Sequence, residues 1–345
     1  MFDGENAIRN RLLAVVAVLL VIAGLRMSYA VTMPLAVAGV VIAAIWPVKP
    51  WLDRALPSSL SYVGTVLILL ILVLGFLAAV YFSAAQVIRA FAQNWEQLER
   101  IYQATTQWAD RWGVPLGGEV GYTRLIGFGQ ALLANSYTVF AYLGLISLLV
   151  VFGLPEVPAL RRKLRERLEP GDRRELIDAI DEIAGKIRQY LGVTTLTSVL
   201  TGVASAAWAF LIGLDLALVW GVLNFLLNYI PVIGNIIGII PPTLYALLQF
   251  QSWGTPAIVF VGYVIIQITI SNIVYPMLQG RSLSLSAITV IVALTFWSWI
   301  WGIAGALIAV PLTVALVITC EHFPSTKWIA TLLSSRRQDD GSGRN

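Results

Sequence analysis

Cysteine and histidine are nearly missing from this chain of 345 residues: Cys320 and His322 are the only examples. A single cysteine excludes an internal disulfide and any cysteine-built zinc cluster. A single histidine leaves little for a histidine-dependent site, so neither a metal nor a cofactor is expected. Charge is scarce as well. Lys, Arg, Asp and Glu make up 12% of the residues, against roughly 25% in an average soluble domain. That is too little to cover a soluble surface of this size. The phosphate-cradling pattern Gly-x-x-x-x-Gly-Lys-Ser/Thr is absent, which excludes a P-loop ATPase. The nucleophile elbow Gly-x-Ser-x-Gly is absent too. Cys320 as nucleophile with His322 as base would lack a third, orienting group. An enzyme is therefore not expected.

What is present is apolar length. The composition is 58% hydrophobic, with 12 tryptophans, a residue that suits the bilayer interface because its ring and its N–H can both be satisfied there. The net charge of +4 alone would admit a nucleic-acid partner. The charges flank apolar spans, however, which is how a membrane protein sets its orientation, so a bilayer and no nucleic acid is expected. Leu12–Leu25 and Val31–Trp46 read as a hairpin of two spans around Arg26. Ser28-Tyr29-Ala30 resembles a signal-peptidase site, but the hairpin is the preferred reading. Ser61–Phe82 is a third span and Ala134–Leu154 a fourth, stopped by Pro155 and Pro158.

Between the third and fourth spans, Ile88, Phe91, Trp95, Leu98, Tyr102, Thr105, Trp108 and Trp112 recur at spacings of three and four. That is one face of a helix, resting on the membrane or forming a seam between protomers. Gly113, Pro115, Gly117, Gly118 and Gly121 end it. Arg161–Arg188 holds nine of the 23 Lys and Arg residues and carries a second amphipathic helix, with Asp172 and Glu175 as its capping box. From Gln189 to Gly280 there is no Lys or Arg, and Asp215 is the only acid. Thr194–Leu214 is a fifth span. Leu216–Phe250 and Leu285–Thr319 are each 35 residues, too long for one crossing at ~20. Pro231, Gly234 and Pro241-Pro242 interrupt the first; Trp297–Gly302 and Pro311 interrupt the second.

Basic residues mark the cytoplasmic side. Placing Arg9/Arg11, Lys49/Arg54, Arg161–Arg188, Arg281 and Lys327–Arg337 inside forces both 35-residue runs to enter and return on one side. Span plus hairpin thus occurs twice in opposite orientation, over 194–250 and 256–319, as in an inverted repeat. The expectation is an all-α integral membrane protein of about eight membrane segments, two of them re-entrant or broken helical hairpins, with amphipathic surface helices. Along the chain it runs as an N-terminal hairpin and third span (1–82), an extracytoplasmic helical segment (83–135), the fourth span (136–155) and cytoplasmic helices (156–190). A core with both hairpins (191–322) and a cytoplasmic tail (323–345) follow. Both termini are placed in the cytoplasm.

Irregular backbone at membrane depth is tolerated only inside protein or beside a water-filled cavity. The candidate pathway residues are therefore Asn224, Asn228, Tyr229, Pro231, Gly234, Asn235, Gln267, Asn272, Gly302 and Pro311; Arg281 is either a gate or an inner-side anchor, and Pro276 joins the set through the resemblance described below. The polar ones serve either a solute or interhelical hydrogen bonds worth ~1 kcal/mol each. Asp215 is either a coupling carboxylate or the cap of a turn.

Two segments carry a resemblance. One is Leu227-Asn228-Tyr229-Ile230-Pro231-Val232-Ile233-Gly234-Asn235 within Asn224–Pro242. The other lies within Asn272–Pro324 and contains Tyr275-Pro276, Gly280-Arg281-Ser282-Leu283, Trp299-Ile300-Trp301-Gly302-Ile303 and Ala309-Val310-Pro311-Leu312. Together they resemble the autoinducer-2 exporter family of PerM-type permeases over residues 10–335. The resemblance implies an oligomeric inner-membrane secondary transporter without its own ATPase, exporting a small solute such as autoinducer-2. Sodium/proton antiport is also associated with the family, but no carboxylate after residue 189 other than Asp215 offers itself for proton coupling. An uncoupled channel and a non-transporting scaffold are the other readings. The chain departs from the family at Ala287, where relatives carry proline, and at Ala304-Gly305 in place of Pro-Gly.

Overall fold

The computed structural model describes residues 2–111, 136–167, 170–250, 252–280, 285–322 and 326–333. The predicted ends of the outer segment, Trp112 to Gly121, lie outside these, as does Arg281. The helices in chain order are α1 (Phe2–Met27), α2 (Tyr29–Ile45), α3 (Val48–Leu52), α4 (Ser58–Gln93), α5 (Trp95–Arg111), α6 (Ser136–Arg167) and α7 (Pro170–Ile212). Then come α8 (Ala217–Leu227), α9 (Ile233–Phe250), α10 (Gly254–Thr269), a π-helical turn (Ile270–Val274), α11 (Tyr275–Gln279), α12 (Ala287–His322) and α13 (Lys327–Leu333). Among the described residues, seven helices are long and apolar enough to cross a membrane. The protein is an all-α, multi-span membrane protein.

The chain divides into two compact units, interleaved in sequence. The first comprises Met1–Thr65, Gly144–Tyr190 and Arg281–Asn345. In it, α1 and α2 part at Ser28, whose hydroxyl donates to the Gly24 carbonyl at 2.6 Å. The run predicted as the second hairpin is one helix by hydrogen bonding, α12, but its backbone leaves helical values at Trp301 and at Gly302 (φ 62°, ψ −141°). Trp297 Nε1 donates to Thr313 Oγ1 at 3.1 Å. In a straight helix those positions would be ~24 Å apart, so the two halves must fold back on each other. Trp301 Nε1 ties the break to α2 through Thr32 Oγ1 at 3.1 Å. No neighbour crowds a Cβ at Gly302; its backbone angles alone restrict the position to glycine. Gly302→Ala is expected to destabilise the protein by roughly 1–3 kcal/mol, read as a lower unfolding temperature in detergent.

Three helix breaks expected at proline do not occur. One helix, α6, runs through Pro155 and Pro158. An interior proline costs ~3 kcal/mol because it strips the hydrogen bond from the carbonyl four residues back. For Pro155 that carbonyl belongs to Val151, and the Tyr62 hydroxyl donates to it instead. Pro241-Pro242 likewise lies inside α9, and Pro311 inside α12. The Asp172 capping box is also displaced: α7 begins at Pro170, a residue pre-shaped for the first helical position. It then runs unbroken to Ile212, joining the predicted amphipathic helix to the fifth span.

The second unit comprises Val66–Leu143 and Leu191–Gly280. Its core is Ala209, Leu214, Trp220, Ala246, Val259 and Tyr263, with Val87, Phe91 and Trp208 packed against it. Here the predicted interruption is real: the chain leaves helix between Leu227 and Ile233. Asn224 reaches the Gly238 carbonyl at 3.2 Å, across a separation that would be ~21 Å in a straight helix. Thus α8 and α9 form a hairpin.

Candidate functional site

The break in the second unit is held open by local geometry. Val232 has φ 64°, an outlier for a β-branched residue. Ile233 N–H donates to Pro231 O at 2.7 Å and Gly234 N–H to Ile230 O at 2.9 Å. Gly234 lies so close to α8 that a Cβ there would sit 1.8 Å from Leu227 O. Proline supplies no N–H, Val232 turns the chain, and glycine lets α9 start against the end of α8.

Inside the hairpin an amide network is buried. Asn224 is wholly buried and Gln267, on α10, is 5% exposed. Asn224 Nδ2 donates to Trp220 O at 3.0 Å and to Gly238 O at 3.2 Å. Gly238 O has no backbone donor four residues on, because that residue is Pro242; the Asn224 side chain replaces the missing N–H. Asn224 Oδ1 accepts from Gln267 Nε2 at 2.9 Å. A Cβ at Gly238 would come within 2.4 Å of Asn224 Oδ1, so the network needs glycine there.

The other polar residues of the break bond to hydroxyls. Asn228 Nδ2 meets Ser198 Oγ at 2.9 Å and Thr197 Oγ1 at 3.4 Å. The Tyr229 hydroxyl donates to Thr195 Oγ1 at 3.0 Å, and its ring packs edge-on against Phe76 and Phe225. Asn235 Nδ2 donates to Ser271 Oγ at 2.6 Å, on the π-helical turn. The buried hydroxyls Thr194, Thr197, Ser198, Thr201 and Ser205 form a stripe on α7 that sequence reasoning passed over. Their spacing of three and four within a charge-free span was the available signal.

The structure thus brings together Asn224, Asn228, Tyr229, Pro231, Gly234, Asn235 and Gln267. It does not join Asn272 or Pro276 to them; both are exposed, on the π-helical turn and α11. Gly302 and Pro311 belong to the other unit. Asp215 is an exposed turn residue. Its N–H donates to Gln249 Oε1 and its carbonyl accepts from Trp220 Nε1, both at 2.8 Å. Gln249 Nε2 closes the clamp on Gly213 O at 2.8 Å. This is the geometry of a helix connection. An open groove of about 310 Å³ beside Trp208, Ala257, Val261 and Gly262 has almost wholly apolar walls and offers nothing to orient a polar solute. Among the described residues, no three His, Cys, Asp or Glu side chains cluster as metal ligands.

Residues 13–325 match the profile of the AI-2E family transporters. The chain belongs to the AI-2E transporter family. It is 30% identical over 340 residues to a putative transport protein of Haemophilus influenzae, covering 94% of this chain and 96% of that one. It is 38% identical over 197 residues to the AI-2 transport protein TqsA of Escherichia coli, 56% of each chain. The putative transport protein YhhT of Escherichia coli is 33% identical over 216 residues, 62% of this chain and 60% of that one. Family membership makes the protein a membrane permease. The segment Leu227–Asn235, on which the resemblance was read, spans the hairpin break.

Proposed function

We propose that this AI-2E family transporter exports a small, neutral, polar solute of the autoinducer-2 kind across the inner membrane, along the broken hairpin of residues 217–250. The buried Asn224–Gln267 amide pair beside that break carries the reading. Broken helices at membrane depth are where secondary transporters bind solute, and amides orient a solute by hydrogen bonding without demanding a charge. The charge-free stretch 189–280 supports a neutral cargo. Of the pathway residues, Asn224, Asn228, Tyr229, Pro231, Gly234, Asn235 and Gln267 line this route. The distribution of basic residues supports cytoplasmic termini. The amphipathic face of 88–112 supports assembly with further copies of the chain.

The test is counterflow of labelled autoinducer-2 into liposomes carrying the purified protein. Saturable uptake is expected. Asn228→Ala, which removes one half-buried amide worth ~1 kcal/mol, is expected to lower flux several-fold while the protein still reaches the membrane. Asp215→Asn is expected to leave flux unchanged, since its role is met by the main chain. Sodium-driven proton movement abolished in Asp215→Asn would overturn the proposal in favour of antiport.

A further inference from the structure

We infer that the side-chain carbonyl of Gln267 is the solute's hydrogen-bond acceptor, so that the site selects a neutral solute presenting a hydroxyl. The inference rests on the proposed use of the hairpin as the solute route. It starts from which way each amide must face. Asn224 Nδ2 lies within hydrogen-bond distance of two carbonyls, Trp220 O and Gly238 O. Carbonyls only accept, so nitrogen must point at them and Asn224 Oδ1 must point at Gln267. That oxygen also only accepts, so the Gln267 atom 2.9 Å away must be Nε2. Both amide orientations follow from chemistry. What is left over is Gln267 Oε1, an obligate acceptor.

Gln267 Oε1 is buried and has no hydrogen-bond partner among the described residues. An unpaired acceptor is costly anywhere and more so at membrane depth. Such a group in a native fold calls for a donor from outside the described side chains. The neighbourhood limits what it can receive. An anion would be repelled by a carbonyl oxygen, and no Lys or Arg occurs between residues 189 and 280. A bare cation would need several oxygen ligands and benefits from carboxylates, and the only acid in that stretch, Asp215, lies in an exposed turn. A neutral O–H or N–H donor remains, and a hydroxyl is the one the cargo proposed above would bring.

Two further observations converge. Tyr263, one turn back on the same face of α10, donates its hydroxyl to Ser205 O at 3.2 Å. Ser205 Oγ is also buried without a partner among the described residues. A hydroxyl both donates and accepts, so Ser205 Oγ is a second group in this unit that a hydroxyl-bearing solute could satisfy. The helix also widens a few residues past Gln267: the Tyr275 N–H bonds to Ile270 O, five residues back, across the π-helical turn at Ile270–Val274. Such turns recur at functional sites.

The experiment compares labelled autoinducer-2 with analogues that each lack one hydroxyl, using the full chain in liposomes. One analogue is expected to show a KM raised ~10-fold or more with kcat little changed, the mark of a lost ground-state contact. Gln267→Met is expected to raise the KM of the parent compound to that of this analogue, erasing the preference. Gln267→Glu is expected to keep the preference, because a carboxyl protonated at membrane depth donates to Asn224 Oδ1 and retains a carbonyl. A lost packing role would not divide the two variants in this way. Equal KM values for all analogues with the unaltered protein would overturn the inference, even if Gln267→Met does not fold. So would an unchanged preference in Gln267→Met. No flux of the parent compound with the unaltered protein would overturn the proposed function, and this inference with it.

Discussion

Gly234→Ala abolishes flux and lowers the unfolding temperature more than other single-methyl changes in the hairpin; this is the expected result. The added Cβ would sit 1.8 Å from Leu227 O and 2.6 Å from Leu227 C. The obstacle is backbone, and it cannot swing away, because Leu227 O already accepts the Ile230 N–H at 2.9 Å. Helix α9 must therefore move by more than an ångström relative to α8 (on the order of a van der Waals deficit). The Asn224–Gly238 bond, already 3.2 Å, breaks with it. Overpacking of this kind costs about 1–3 kcal/mol, and the orphaned Gly238 carbonyl adds to that. The checks are thermal unfolding of the purified variant followed by size-exclusion chromatography, and counterflow. Near-normal flux and stability would mean that the break relaxes freely, and the hairpin would lose its standing as a fixed frame for the solute.

The second large effect is at Asn224, where the ranking of two substitutions is the test. Asn224→Ala deletes the donor to Gly238 O and the acceptor for Gln267 Nε2, leaving two buried polar groups without partners. Each costs about 1–3 kcal/mol, less where the loosened helices admit water. Asn224→Asp is expected to be worse, although it is nearly isosteric. An ionised carboxylate would place oxygen against the carbonyls of Trp220 and Gly238, and a charge at span centre costs roughly 2.5–3.5 kcal/mol on insertion scales. A protonated one could donate to only one of those carbonyls. The expected order of folded yield and unfolding temperature is Asn224, then Asn224→Ala, then Asn224→Asp. Flux should be lost in both variants. If Asn224→Asp folds as well as the unaltered chain, the amide is hydrated and its orientation is not fixed by the network.

Much of the architecture was legible because it depends on length and charge. A 35-residue apolar run must double back whatever surrounds it, and Pro231 with Gly234 marked where the first one does. Trp301-Gly302 played the same part in the second run. Proline elsewhere misled. Pro155, Pro241-Pro242 and Pro311 read as breaks, and each sits within helical backbone, Pro311 in the half of α12 that follows the Trp301-Gly302 break. Whether a proline breaks a helix depends on whether another group takes the stranded carbonyl. Tyr62 for Val151 and Asn224 for Gly238 are far from those prolines in sequence, and a local reading does not see them. The same limit hid the hydroxyl stripe on α7: serine and threonine are common, and it is Asn228, bonded to Thr197 and Ser198, that singles them out.

By itself the sequence determined that the chain is a multi-span membrane protein of the AI-2E family with two doubled-back helices. Hydrocarbon thickness and the cost of charge within it leave few other ways to place those residues. Only the tertiary structure decided which polar residues meet, that Asp215 sits in a turn, and that Gln267 Oε1 is left without a donor among the described residues. Hydrogen bonds are directional and act over about 3 Å, so they are settled by how helices pack and not by the order of residues along them.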